Sequence, residues 1–442
     1  MVADSSRIDR IGPGDLTELA SDVGPVPLHV GAVIFFAGEG GSDPATLRAA
    51  FAERLSGIRR LRQRLIRPAP GLGRPYWFDD DHFDIDAHLS QVRCPAAGDR
   101  DAAITLAVEA LTRPLPPSRP LWRALLVTDI ADPHGHTAMV MVLHHVLADG
   151  IGGLAILAHL VDGVNSAASR YEDAPPSTSP RTGELLADNM IGRLHSVRRA
   201  PQAELGRGSG GRAPRCSFNA PTGVRRAFRT VEVDLDTVRR TGRRRHATVN
   251  DVLLVAVGGA LATVLHARGE FPSELVVSVP VSARTATTRG RLGNRVGVMP
   301  VRVPLEGTPH QRLVSVSRRT RAQKSSVRGL SAALMGPLFR ILAAVGVFRW
   351  FVNRQHLVNT FLSDLPGPSS AVTLAGAPVT SIVPMIVGTG NIGVAFVALS
   401  YAGTLTVTIT VDPDLVPEID DLEDALREQF HAIIASEGGS AQ

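Results

Sequence analysis

Three observations predict an α+β fold made of two mixed sheet-and-helix halves with a cleft for chemistry between them. The chain has 442 residues, beyond the roughly 250–300 at which a single hydrophobic core usually stops growing. Apolar runs of strand length alternate with stretches of helical apolar spacing both before residue 165 and after residue 219. Between them the composition shifts to Ser, Pro, Gly and Arg, as in ASRYEDAPPSTSPRTG and LGRGSGGRAPR, which suits a crossover better than a packed layer. The expected division is residues 1–165, a crossover at 166–218, and a second half at 219–442.

Taken in order, Val30 to Phe36 is an apolar run that predicts a buried strand. Ala45 to Leu55 has helical spacing, with Asp43-Pro44 as its start signal. Thr137 to Leu143 predicts a second buried strand that ends directly at His144. Gly152 to Val164 follows as a helix with Leu154, Leu157, Leu160 and Val161 on one face. Inside the crossover, Glu184 to Val197 has helical character. The second half resumes near Phe228 with FRTVEVDL and continues with a helix over Asn250 to Arg268. Strands are expected at LVVSVP, VGVMPVRVPL and LTVTITVD, and a closing helix at Ile419 to Ile434. GEGGS at 38–42 lacks the lysine of a phosphate-binding loop.

Composition narrows the function. A hydrophobic content of 44% with 20% charged residues is ordinary for a soluble protein. MVADSSRIDRIGPGD has neither a basic leader nor an apolar core, and no run of about twenty apolar residues follows, so a cytoplasmic location without a transmembrane helix is expected. Cys94 and Cys216 are far apart without C-x-x-C spacing, which argues against a disulfide framework and against a structural metal site. The net charge is +5 and Lys324 is the only lysine. Arginine permits an anionic partner, but Arg239, Arg240, Arg243, Arg244 and Arg245 have no interleaved aromatics. They predict a solvated helix face and no nucleic-acid binding.

The chemistry concentrates in His144-His145-Val146-Leu147-Ala148-Asp149-Gly150. Neighbouring side chains at a strand end point to opposite sides, so only one of the two histidines can face a given cavity, and the pair is a poor chelate. Histidine titrates near neutral pH and can take a hydroxyl proton during attack. Asp149 is placed to shape the loop, and Gly150 allows a backbone angle that other residues resist.

HHxxxDG is the signature of the coenzyme A-dependent acyltransferase superfamily, which includes chloramphenicol acetyltransferase and the condensation domains of nonribosomal peptide synthetases. Within it, the chain resembles the bacterial bifunctional wax ester synthase/acyl-coenzyme A:diacylglycerol acyltransferase family. The resemblance rests on PVPLHVGAVIFF from Pro25, PYWFDDDHFDIDAHL at 75–89, and Arg119-Pro120-Leu121-Trp122. In the second half it rests on Thr248-Val249-Asn250-Asp251, Val279 to Arg284 with Gly293-Asn294, and Ser363-Asp364-Leu365-Pro366-Gly367-Pro368. It implies two chloramphenicol-acetyltransferase-like halves and transfer of a long-chain acyl group from acyl-coenzyme A to diacylglycerol or a fatty alcohol. Acyl-coenzyme A is then a substrate, with no cofactor and no metal.

By that resemblance His145 is the general base, His144 supports it, and Asp149 pairs with an arginine, for which Arg284 is the candidate. Asn250 either caps its helix, a task that Thr248 or Asp251 could share and the favoured reading, or hydrogen-bonds substrate. Asn294, Ser363 and Asp364 are candidate substrate contacts. Trp77 and Trp122 are expected to be packing residues, and coenzyme A phosphates are the alternative partner for the arginine run. The chain departs from the family at Asp364 and Leu365, where the family has asparagine and valine. It departs also at Glu18, where the family has an aromatic or apolar residue, and at Asp22, where it often has glutamate; these differences point to an altered substrate range. The apolar stretch from Leu330 to Val352, broken by Pro337, suits a buried helix pair or a patch resting on a membrane or lipid inclusion. No G-x-S-x-G elbow is present and neither cysteine adjoins a histidine, so direct transfer is expected over an acyl-enzyme. Two rival readings are a condensation-type enzyme using a carrier-bound thioester and a non-catalytic lipid-surface protein of the same fold.

Overall fold

The structure, a computed structural model, describes residues 8–38, 43–96, 98–131, 136–163, 179–198, 211–282, 296–326, 342–343 and 346–435. The first half runs α1 (Pro13–Ser21), β1 (His29–Phe36), α2 (Pro44–Gly57), β2 (Gln63–Ile66), β3 (Tyr76–Asp79), β4 (Leu89–Arg93), α3 (Arg100–Thr112), β5 (Trp122–Thr128), β6 (Thr137–His144) and α4 (Gly150–Leu160). In the crossover lies α5 (Thr182–Arg198). The second half opens with β7 (Ala227–Asp234), α6 (Leu235–Arg244), α7 (Val249–Ala267), β8 (Glu274–Ser282), β9 (Val296–Pro304) and α8 (Pro309–Ser326). It closes with α9 (Phe348–Val352), β10 (Thr360–Pro366), β11 (Thr373–Leu374), β12 (Ala377–Ile386), β13 (Val394–Tyr401), β14 (Thr404–Val411) and α10 (Ile419–Ala435).

The elements form where local chemistry favours them. Asp43 accepts from the N–H groups of Ala45 and Thr46 with Pro44 in the first turn, so α2 starts where the sequence signals it. β6 and β13 are buried at every position. That explains their unbroken apolar runs, because strands covered on both faces need no polar alternation. α7 is long and apolar enough to cross a bilayer by composition, but it lies mostly buried as the central helix of the second half. There it packs among residues of β9, β13, β14 and α10 in one core cluster.

Two six-stranded sheets result. The second has the order β7-β14-β13-β10-β8-β9, and the first β11-β12-β1-β6-β5-β4. The first sheet crosses the expected division at residue 219. β11 and β12 come from the second half of the sequence, yet β12 pairs antiparallel with β1, Val30 opposite Ile386 and Val33 opposite Val383. The physical reason is that apolar periodicity identifies a strand but not its neighbour. Tyr401 of β13 holds the exchange in place: its hydroxyl accepts from the Val372 N–H and donates to the Val379 carbonyl. Leu399 and Tyr401 thereby join a core cluster otherwise built largely by the first half. Of the 330–352 stretch, most lies outside the described residues; Phe348–Val352 forms α9.

Candidate active site

β6 delivers the histidine pair. His144 is its last residue and stands opposite His29 of β1, while the His145 N–H donates to the Leu28 carbonyl at 2.9 Å. The His144 ring is fully engaged. Its Nδ1 accepts the Val146 N–H at 3.0 Å, and its Nε2 lies 3.0 Å from Asp22 Oδ2. A nitrogen that accepts a backbone N–H carries no proton, so His144 is neutral, with its proton on Nε2 donated to Asp22. That carboxylate also accepts the Leu28 N–H at 2.9 Å. Burial pushes Asp22 up, but the hydrogen bonds from His144 and Leu28 bring it below the usual carboxylate range. His29, 1% exposed, packs edge-on to His144 and bonds through Nδ1 to the Leu111 carbonyl. Burial depresses it to about 4.

His145 sits differently. Its side chain is 25% exposed, but Nδ1 is shielded from solvent. The accessible part of the ring therefore excludes Nδ1. On the shielded side, Glu18 Oε2 lies 3.8 Å from Nδ1. Glu18 is on α1 and Asp22 is that helix's C-terminal cap. Residues four apart on a helix share a face, so one short helix presents a carboxylate to each of two consecutive histidines. Glu18 and Asp22, two of the positions at which the chain departs from the family, thus lie against the histidine pair. Their i, i+4 spacing was the available signal, but only the fold shows what that face meets.

Asp149 is 1% exposed and caps α4, accepting the Gly152 N–H at 2.7 Å. Arg284 and Asn294 lie outside the described residues. Gly150 avoids a close contact rather than supplying a special backbone angle, which corrects the expectation. It is not among the residues of positive φ, and a Cβ there would fall 2.6 Å from Leu365 Cδ2. The DG end of the motif therefore abuts Leu365 of β10 in the second half. Gly367 has a similar reason, since a Cβ would sit 2.4 Å from the Ser400 carbonyl oxygen.

Asn250 does not cap α7. Thr248 does so, in a reciprocal box with Asp251, whose other oxygen accepts the Thr320 hydroxyl at 2.7 Å. Asn250 Oδ1 is left buried, accepting no hydrogen bond from the described residues. Trp122 is core, stacked on His88 at 4.7 Å with its indole N–H on the Leu61 carbonyl; Trp77 is buried as well. Arg239 and Arg240 pair with Asp236 and Asp234 on an exposed face of α6. Burial pushes the Cys216 thiol up to about 11, which leaves it a poor nucleophile. A 310 Å³ recess lined by Phe36, Asp43, His136 and Thr137 opens at the opposite end of β1 and β6 and takes no part in this chemistry. Among the described residues no group of three His, Cys, Asp or Glu is arranged to hold a metal.

Comparison with known proteins gives consistent matches. The wax ester synthase/diacylglycerol acyltransferase catalytic domain matches residues 11–253, and the C-terminal domain of the same family matches residues 292–434. A probable diacylglycerol O-acyltransferase of Mycobacterium tuberculosis strain H37Rv is 30% identical over 433 residues, covering 93% of this chain and 92% of that protein. A putative diacylglycerol O-acyltransferase of Mycobacterium bovis shows the same identity and coverage. Among solved structures, the wax ester synthase/diacylglycerol acyltransferase from Marinobacter aquaeolei VT8 superposes with a TM-score of 0.69 at 21% identity, covering 97% of this chain and 100% of that one. The first condensation domain of the CDA synthetase gives 0.64 at 19% identity, covering 98% and 97%. At those identities the two structures speak to the fold alone.

Proposed function

This chain belongs to the wax ester synthase/diacylglycerol acyltransferase family and is an acyl-coenzyme A-dependent O-acyltransferase forming triacylglycerol or wax ester, and on that premise we propose that His145 is its general base. The observation that carries the assignment is the division of labour between the two rings. Both nitrogens of His144 are committed, whereas His145 is partly exposed through an edge that excludes Nδ1. Nε2 takes the proton of the acceptor hydroxyl as its oxygen attacks the thioester carbonyl. The C–S bond of the resulting tetrahedral intermediate then breaks, and the departing thiolate recovers the proton from the imidazolium. The oxyanion needs hydrogen-bond donors in a dry site. Asn250, whose amide is spared from capping, is our candidate for a substrate contact, and Ser363 and Asp364, beside Leu365 in β10, are further candidates.

Base catalysis contributes about 10²–10⁴-fold. His145→Ala is expected to lower kcat by that order with labelled palmitoyl-coenzyme A and a panel of diacylglycerols and fatty alcohols, while its melting temperature stays that of the parent. Near-full turnover in the variant refutes the assignment.

We propose further that the enzyme is cytoplasmic and works against a membrane or lipid inclusion, where its acceptors dissolve. Support comes from apolar side chains left in solvent around α9: Val347, Trp350 and Leu357 are 40%, 61% and 47% exposed.

A further inference from the structure

We infer that Glu18 is a positioning residue for the catalytic imidazole, forming with His145 a carboxylate–histidine dyad on the side of the ring away from substrate. The inference deepens the reading of His145 as base and rests on it. Three observations carry it. Glu18 Oε2 lies 3.8 Å from His145 Nδ1, the shielded nitrogen. Asp22, one helical turn further along α1, already makes the corresponding contact to His144 at 3.0 Å, so the helix face is in register with the histidine pair. That register is locked at Leu28, whose N–H is held by Asp22 and whose carbonyl holds the His145 N–H.

At 3.8 Å the contact is longer than a hydrogen bond, and such bonds at catalytic residues often close only when substrate is bound. The chemistry it supplies is specific. A carboxylate facing Nδ1 keeps the proton there, which fixes Nε2 as the basic nitrogen. It also faces the positive charge that appears on the ring when the hydroxyl proton arrives. The interaction is stronger in the transition state than in the ground state, so it should act on kcat and leave acyl-coenzyme A binding alone. Glu18 is about a third exposed, which places the effect below that of a fully buried partner.

The test compares the full-length chain with Glu18→Gln, which keeps the shape and removes the charge, and with Glu18→Leu. Both are expected to lower kcat roughly tenfold, the scale of one charge-assisted hydrogen bond, with KM for palmitoyl-coenzyme A within about twofold and an unchanged melting temperature. A merely structural role predicts that the isosteric Gln variant keeps its kcat. That result, or a loss confined to KM, overturns the inference. His145→Ala separates the two readings. If it is inactive while Glu18→Gln is normal, only the dyad fails; if it retains activity, the base assignment fails with it.

Discussion

Adjacent imidazoles acquire different surroundings here because one ring is bracketed at both nitrogens, while the other meets a carboxylate at Nδ1 and is a quarter exposed. His144 is a bracket between Val146 and Asp22, and behind it His29 is buried with its proton count held low. That burial has a consequence for stability. A histidine depressed from 6.5 to about 4 in the folded state leaves the unfolded chain binding one more proton between those values, so folding stability rises with pH there. Its contribution is complete above pH 6.5 and is lost as pH falls toward 4, a total of about 3 kcal/mol at 1.36 kcal/mol per unit. Asp22, lowered by its hydrogen bonds, adds a loss of the same sign once pH drops through its own folded value. Urea midpoints of the native chain should therefore decline steadily from pH 7 to 4.5. His29→Gln, which keeps a donor for the Leu111 carbonyl, should show a flatter dependence over that range. Equal slopes in the two proteins count against His29 as the source.

At the level of elements, the contact between α4 and β10 joins the HHxxxDG turn to the Ser363–Pro368 segment, two motifs some two hundred residues apart in the sequence. A methyl group at Gly150 would collide with the tip of Leu365, a flexible side chain, so the collision costs about 1–3 kcal/mol rather than the fold. Gly150→Ala should lower the unfolding midpoint accordingly, and Leu365→Ala in the same chain should restore part of the loss, because neighbouring substitutions couple. Strictly additive losses would mean that the two do not touch. The same contact marks the limit of what the sequence discloses. β1, α2, β6, α7, β14 and α10 are legible because apolar period and caps such as Asp43 are local signals. HHxxxDG was legible as chemistry. The reason for Gly150 and the meeting of α1 with the histidines were not, since each depends on which elements become neighbours.

Over the whole molecule, the exchange of β12 makes the two halves interdependent. β1 has β6 on one edge and β12 on the other, and residues from Val30 to Phe36 pair with the latter. Without β12 that edge would offer unpaired N–H and carbonyl groups beside the apolar Val33, Ile34, Phe35 and Phe36, a template for association with other chains. Without β12 and β13 the first-half core would also lose Val379, Ile382, Leu399 and Tyr401, each large enough that its removal leaves a cavity or exposed apolar surface. A fragment comprising residues 1–218 should consequently aggregate when expressed alone, and co-expression with 219–442 should recover soluble, active enzyme. The intact chain should unfold in one transition followed alike by far-UV circular dichroism and tryptophan fluorescence, although its described residues build two six-stranded sheets. A soluble, cooperatively folded 1–218 fragment would show that β12 only decorates the first sheet. Aggregation relieved by the second fragment would show instead that the polypeptide needs its C-terminal strands to hold the histidine pair in place.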